Sequence, residues 1–122
     1  MKATLDTLSI KELVQQFTDI TLKQYPAVMG NDVRTYNKLY TRMVAVSQEL
    51  RSRSGDERRA LIPLYAHPNI QVRLAAARTT LAVNYKDARG VIEDIANSGK
   101  FPMAGDAGMT LDALDRGIFK PT

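Results

Sequence analysis

The stretch from Asn69 to Val83 constrains the fold more than any other part of the chain. Val72, Leu74, Ala75, Ala76, Ala77, Leu81, Ala82 and Val83 point around most of the circumference of a helix. A helix that is apolar nearly all round has no face to offer water and lies buried between neighbours, and its alanines let those neighbours come close. A chain of 122 residues has room for one domain with one hydrophobic core. The expected architecture is therefore a single domain, residues 1–122, in which this helix is surrounded by others.

The remaining segments supply those neighbours. Ser9 and Glu12 have the spacing of a capping box, and Leu13, Val14, Phe17, Ile20, Thr21 and Tyr25 recur at helical spacing behind it, which starts a first helix near Ile10. Pro26 disfavours helical geometry at Tyr25, so that helix bends or ends there, and Gly30 closes the short segment after it. Asn31 or Asp32 caps a second helix with a predicted buried stripe of Val33, Tyr36, Tyr40, Met43, Val44 and Leu50. Arg34, Lys38, Arg42 and Arg53 fall on its opposite face, and Glu49 is placed to pair with Arg53. A short third stripe, Ala60, Leu61, Leu64 and Tyr65, ends before Pro68, and Asn69 caps the apolar helix. A fifth helix spans roughly Asp87 to Asn97, and Asp106 caps a sixth that stops at Arg116-Gly117-Ile118 in Schellman fashion. No segment reads as a strand.

Composition removes several kinds of chemistry. Cysteine is absent, so disulfide scaffolds, cysteine nucleophiles and thiolate metal sites are excluded. The single histidine, His67, precedes Pro68 in a turn and reads as a solvated turn residue rather than a general base. Ser52 and Ser54 have no local histidine to activate them. The carboxylate pairs Asp112/Asp115 and Glu93/Asp94 form no recognisable ligand set, and Gly99-Lys100 lacks the flanking residues of a phosphate loop. These readings predict no catalytic residue, no metal and no cofactor. No apolar run approaches the length of a membrane span, and the N-terminal stretch lacks the apolar region of a signal peptide, so a cytoplasmic protein with no membrane contact is expected.

The formal net charge of +4 is unevenly distributed. Residues 34–78 hold nine basic and three acidic groups, a local +6. Such a field attracts acidic partners or polyanions, although a solvated arginine-rich face accounts for it more simply.

Two helix pairs can be laid over one another. Ala60, Leu61, Leu64 and Tyr65 match Val91, Ile92, Ile95 and Ala96 at an offset of 31, and Ala76 and Leu81 match Met109 and Leu114 at an offset of 33. Periods in this range, one helical hairpin per unit, signal an α-solenoid. Residues 58–81 resemble a HEAT repeat, through Leu61 and Leu64, the His67-Pro68-Asn69 turn, Val72-Arg73, Ala76 and Leu81. With the tail stretches Gly105 to Met109 and Gly117 to Thr122, the chain is similar to a small bacterial family known only as a domain of unknown function with a HEAT-like fold. The resemblance implies an all-α, short right-handed α-solenoid of about three helical hairpins, HEAT-like, with about six helices. It implies no activity, since that family brings no catalytic residues to transfer. In HEAT repeats the arginine of the Val-Arg pair joins a ladder of ion pairs between repeats, which implies a rung between Arg73 and Asp106; Asp106 as a simple N-cap is the alternative.

What remains is binding. A stack of about three hairpins offers a shallow groove suited to a peptide, a helix or one face of a protein. The contact candidates are Arg34, Arg42, Arg58 and Arg59 of the basic stretch and Phe101 in the long turn, arginine and aromatics being enriched at interfaces; Phe101 reads slightly better as a plug tucked into the core. The function expected is a non-enzymatic protein-binding module, an adaptor or an antitoxin-like binder by analogy with other small helical-repeat domains. The alternative is nucleic-acid binding through residues 34–78, which lacks tryptophan and any aromatic expected to be exposed for base stacking. A monomer or a homodimer joined through an exposed solenoid end fits either reading.

Overall fold

The structure, a computed structural model, describes residues 4–122. A single 3₁₀ turn, Leu5–Thr7, precedes helix α1 (Ile10–Met29). Beyond it come α2 (Val33–Ser52), a ten-residue 3₁₀ helix (Glu57–Ala66), α3 (Ile70–Thr80), α4 (Tyr85–Ala96) and α5 (Met103–Asp115). The described chain is all-α, with six main helices and no strand among its residues.

The caps set these boundaries. Ser9 Oγ accepts from the Glu12 amide at 3.1 Å while Glu12 Oε1 accepts from the Ser9 amide at 2.9 Å, closing the capping box in both directions. Asp32 accepts from the Thr35 amide at 3.1 Å to start α2, and Asn69 Oδ1 accepts from the Gln71 and Val72 amides to start α3. At the end of α5, Ile118 N donates to Ala113 O and Gly117 N to Leu114 O, the two bonds of a Schellman stop with Gly117 at φ 70°. Two boundaries differ from the sequence reading. Helix α1 continues through Pro26 to Met29, and α5 starts at Met103, so Asp106 lies inside its first turn rather than capping it.

Successive elements pack in pairs: α1 with α2, the 3₁₀ helix with α3, and α4 with α5. Helix α3 also touches α1, α4 and α5 and is the centre of the molecule. Its faces divide between two apolar clusters. Ala75 and Ala76 join Leu13, Phe17, Val46, Leu50 and Leu61 on one side. Ile70, Leu74, Ala77 and Leu81 join Ala88, Ile92, Ile95 and Met103 on the other. The helix apolar all round is thus buried between two layers, as its composition requires.

Burial differs among the positions matched by the internal offsets. Leu61 and Ile92, matched at an offset of 31, are both fully buried. Ala76 is fully buried, but its counterpart Met109 is 72% exposed. Helix α3 is covered by α4 and α5, whereas the face of α5 that carries Met109 meets solvent.

Candidate functional site

Helix α2 separates two surfaces. Leu39, Met43, Val46 and Leu50 form its buried stripe. At 100° per residue, Arg34, Lys38 and Arg42 run along one flank of that stripe and Tyr36, Tyr40 and Ser47 along the other. The sequence reading placed Val33, Tyr36 and Tyr40 in the core and passed over Leu39 and Val46. The aliphatic pair takes the inward positions, leaving Val33 and Tyr40 exposed and Tyr36 half-buried. The two tyrosine rings lie 6.2 Å apart, tilted by 31°.

The tyrosine flank of α2 faces α3 across a groove of two joined cavities, about 370 and 350 Å³ in volume, which share Tyr36 and Arg78 as lining residues. Tyr40, Ser47, Thr79 and Phe119 border the first. Val33, Pro102, Asp32 and Asp106 border the second. Phe119 reaches the groove because Ile118 N and Phe119 N both donate to Ala113 O, folding the chain back after α5.

The floor of the first cavity is polar. Gln24 of α1 and Gln71 of α3 are 0% and 2% exposed, and Gln71 Nε2 donates to Gln24 Oε1 at 3.0 Å. Gln24 Nε2 has only the weak sulfur acceptor of Met43, at 3.6 Å. Gln71 Oε1 is buried with no partner. Turning both amides over merely moves the deficit to the Gln24 oxygen, so either arrangement leaves one strong acceptor unsatisfied beneath the groove.

At the junction of the cavities stands half-buried Arg78. Its Nε donates to Thr110 Oγ1 at 3.1 Å, and Thr110 in turn donates to Asp106 O at 3.0 Å. Among the described residues no carboxylate lies within 4.0 Å of its guanidinium, although Asp106 lines the same cavity. Burial pushes the Tyr36 phenol above its ordinary value, with Arg78 pulling the other way and Asp106 and Tyr40 adding to the rise. At neutral pH Tyr36 is therefore a neutral hydroxyl, with the Arg78 guanidinium close enough to act on it as a hydrogen-bond donor.

The residues singled out from sequence do not form one surface. Arg34, Arg42 and Arg59 are exposed; Arg34 and Arg42 lie on the far flank of α2 from the groove, Arg42 beside Gln16, Asp19 and Lys23. Arg58 is not a surface contact. It is 8% exposed, paired with Asp56 at 2.7 Å, and its Nη2 also donates to Thr122 O at 3.3 Å. The reason lies in the 3₁₀ geometry: residues three apart share an edge, so Arg58 turns inward with Leu61 and Leu64. Phe101 is 67% exposed and lies over Gly105, so it plugs no core. It borders a separate hollow of about 530 Å³ with Tyr25, Met29 and Arg73.

The Arg73–Asp106 rung is not formed. Arg73 Nη1 donates to His67 O at 2.8 Å and Pro68 O at 3.0 Å, tying down the turn ahead of α3, while Asp106 faces the other cavity. His67 belongs to the same turn: it is half-buried and its Nδ1 accepts from the Asn69 amide at 3.0 Å. Glu93 and Asp115 both pair with Arg89, and Asp112 pairs with Arg116. Arg53, expected on the exposed face of α2, pairs with Glu49 at 2.6 Å as predicted but also donates to Leu5 O and Leu8 O, holding the N-terminal turn.

Sequence reasoning missed Gln24, Gln71 and Arg78. One signal pointed to them: a glutamine between Ile70 and Val72, in a helix buried on every side, needs a buried partner.

Fold and site together define an all-helical domain with a tyrosine-walled groove over a buried amide pair. The chain belongs to the family described as "Domain of unknown function (DUF2019)", which it matches over residues 11–115. It is similar to the solved structure of the protein RPA1889 from Rhodopseudomonas palustris CGA009, with 45% sequence identity, a TM-score of 0.93, and coverage of 99% of this chain and 100% of that one. No curated protein matches the chain in sequence. Among the described residues no helix is long and apolar enough to cross a membrane.

Proposed function

We propose that this chain is a non-enzymatic protein-binding module, an adaptor or antitoxin-like binder, whose groove between α2 and α3 receives a segment of another protein. The helix pairs are read here as a short right-handed HEAT-like solenoid with the groove along one of its faces, and a cytoplasmic setting belongs to the same proposal. One observation carries the reading: the groove joins the exposed aromatic surface of Tyr40 to Arg78, a half-buried cation at its centre with no carboxylate within 4.0 Å among the described residues. A half-buried guanidinium without a carboxylate gains most from one that a partner brings, so its place in the groove supports an external partner. Tyrosine and arginine are also the side chains that carry most energy at protein interfaces.

The nucleic-acid reading retains one specific support, the exposed row Arg34, Lys38 and Arg42 along α2. It loses Arg53, Arg58 and Arg73, which are occupied by Glu49, Asp56 and turn carbonyls. Salt separates the two, because phosphate contacts weaken by orders of magnitude between low and moderate salt and an apolar interface does not.

The test is a pull-down from nuclease-treated host lysate with the tagged wild type and Tyr40→Ala, washed at low and then moderate salt and read by mass spectrometry. A stoichiometric protein retained through both washes by the wild type and lost by Tyr40→Ala is expected. Retention of nucleic acid alone when nuclease is omitted, vanishing at moderate salt and lost in Arg34→Gln/Arg42→Gln, would replace this reading with its rival.

A further inference from the structure

Resting on that reading, we infer that the groove's occupant is an extended protein segment that places an acidic side chain on Arg78 and an apolar side chain toward Phe119.

The acidic preference arises from charge. Arg53, Arg58, Arg89 and Arg116 each have a carboxylate within 4.0 Å; Arg78, half-buried at the junction of the two cavities, has a threonine hydroxyl instead. That bond engages Nε and fixes the guanidinium while leaving the charge unmatched. A partly desolvated cation gains most from a carboxylate delivered in planar, bidentate fashion. The Tyr36 hydroxyl, neutral at physiological pH, adds a second donor beside it.

The groove floor argues for a peptide rather than a phosphate polymer. Its second cavity is lined by Asp32 and Asp106, acceptors that call for N–H groups. An extended main chain supplies such donors along its length; a phosphodiester backbone supplies none. At the other end Tyr40, Met43 and Phe119 form an apolar border matched by a hydrophobic side chain.

The experiment selects phage-displayed random dodecapeptides on the full chain. Enriched sequences are then synthesised with a fluorescent label and measured by anisotropy. The expected result is enrichment of Asp or Glu near an apolar residue. Changing that acid to its amide in the peptide weakens binding about tenfold or more, the effect of one lost charge-assisted bond. Arg78→Gln weakens the acidic peptide equally, gives no further loss with the amide peptide, and Arg78→Lys recovers part of the affinity. Arg34→Gln, on the far flank of α2, changes nothing. The peptide substitution leaves the protein's fold untouched, so an unstable Arg78 variant does not blunt the test. Selected peptides that lack acids, or that bind wild type and Arg78→Gln alike, overturn the inference; if those same peptides still lose affinity to Tyr40→Ala, the protein-binding groove stands without its acidic occupant. Absence of any enrichment also overturns it, and the pull-down then decides the wider reading separately.

Discussion

Replacing both buried glutamines by methionine should stabilise this protein, while replacing only one of them should not. The wild-type pair gains a single amide–amide hydrogen bond, about 1 kcal/mol net, and leaves Gln71 Oε1 buried without a partner, a deficit of about 1–3 kcal/mol. Gln24→Met removes the acceptor of Gln71 Nε2 and strands both amide atoms of Gln71, so it should cost about 2 kcal/mol. Gln71→Met removes the orphaned oxygen but strands Gln24 Oε1 in its place; one deficit is exchanged for another, and stability should stay within about 0.5 kcal/mol of wild type. The double variant removes the hydrogen bond and every stranded atom together, with side chains of similar length, and should gain about 1 kcal/mol. The cycle therefore carries a coupling near 3 kcal/mol, at the upper end for residues in contact. Urea unfolding followed by circular dichroism measures it, with unchanged m-values as the check that the unfolded state is not responsible. In thermal melts the double variant should rise by about 4 °C. A double variant less stable than wild type by more than about 1 kcal/mol would refute the reasoning, since the pair would then be fully satisfied where it sits. The same variant should bind selected peptides more weakly, which would separate a polar floor kept for recognition from one kept for stability.

Two further perturbations probe the scaffold. Arg73→Ala should lower stability by about 1–2 kcal/mol, because two charge-assisted bonds to the His67 and Pro68 carbonyls are lost at a half-exposed site. Asp106→Ala should change it by less than about 0.5 kcal/mol. Equal losses in both variants, with coupling between them in the double variant, would reinstate the ion-pair ladder. Acid should weaken the fold through its caps. Hydrogen bonds from the Ser9 amide hold Glu12 below its ordinary 4.5, those from Thr35 hold Asp32 below 3.8, and those from the Arg58 side chain hold Asp56 below 3.8. Carboxyls depressed in the folded state contribute stability that is complete above their unfolded values and is lost as pH falls through the folded ones, so urea midpoints should be level from pH 7 to 5 and fall below about pH 4.5. A midpoint unchanged down to pH 3 would contradict these cap bonds.

Much of the scaffold was legible because it rests on short-range chemistry. Capping residues act within three positions of themselves, so Ser9 and Glu12, Asn69, and Gly117 located their helix ends from sequence. The central place of α3 was legible for a different reason: Ala75 to Ala77 leave no hydrophilic face, and composition alone requires neighbours. Errors arose where local pattern underdetermines facing. Tyr36 and Tyr40 satisfy helical periodicity as well as Leu39 and Val46 do; only the packing of α1, α3 and the 3₁₀ helix against α2 decides which pair turns inward. Arg58 was misjudged because it was taken as a contact from its charge alone, whereas Asp56 and the Thr122 carbonyl engage it at a buried edge. The Arg73–Asp106 rung assumed that an offset between repeats carries a contact with it. The register differs by two residues within the second pair, and the nearer carbonyls of the 67–68 turn take the guanidinium instead.

The groove could not be read from spacing because its parts come from segments far apart in sequence: Gln24 from α1, Tyr36 and Tyr40 from α2, Gln71 and Arg78 from α3, and Phe119 from the returning tail. What unites them is the position of α3, which supplies the floor and one wall of the groove from the same helix that joins both apolar clusters. Residues 75–77 are consumed by packing, and Gln71 and Arg78 flank that alanine stretch, one buried beneath the groove and one half-buried at the junction of its cavities. Packed against α1, α4, α5 and the 3₁₀ helix, α3 leaves Gln71 no route to water, and a floor fixed in this way is the preorganisation that the proposed binding role would use.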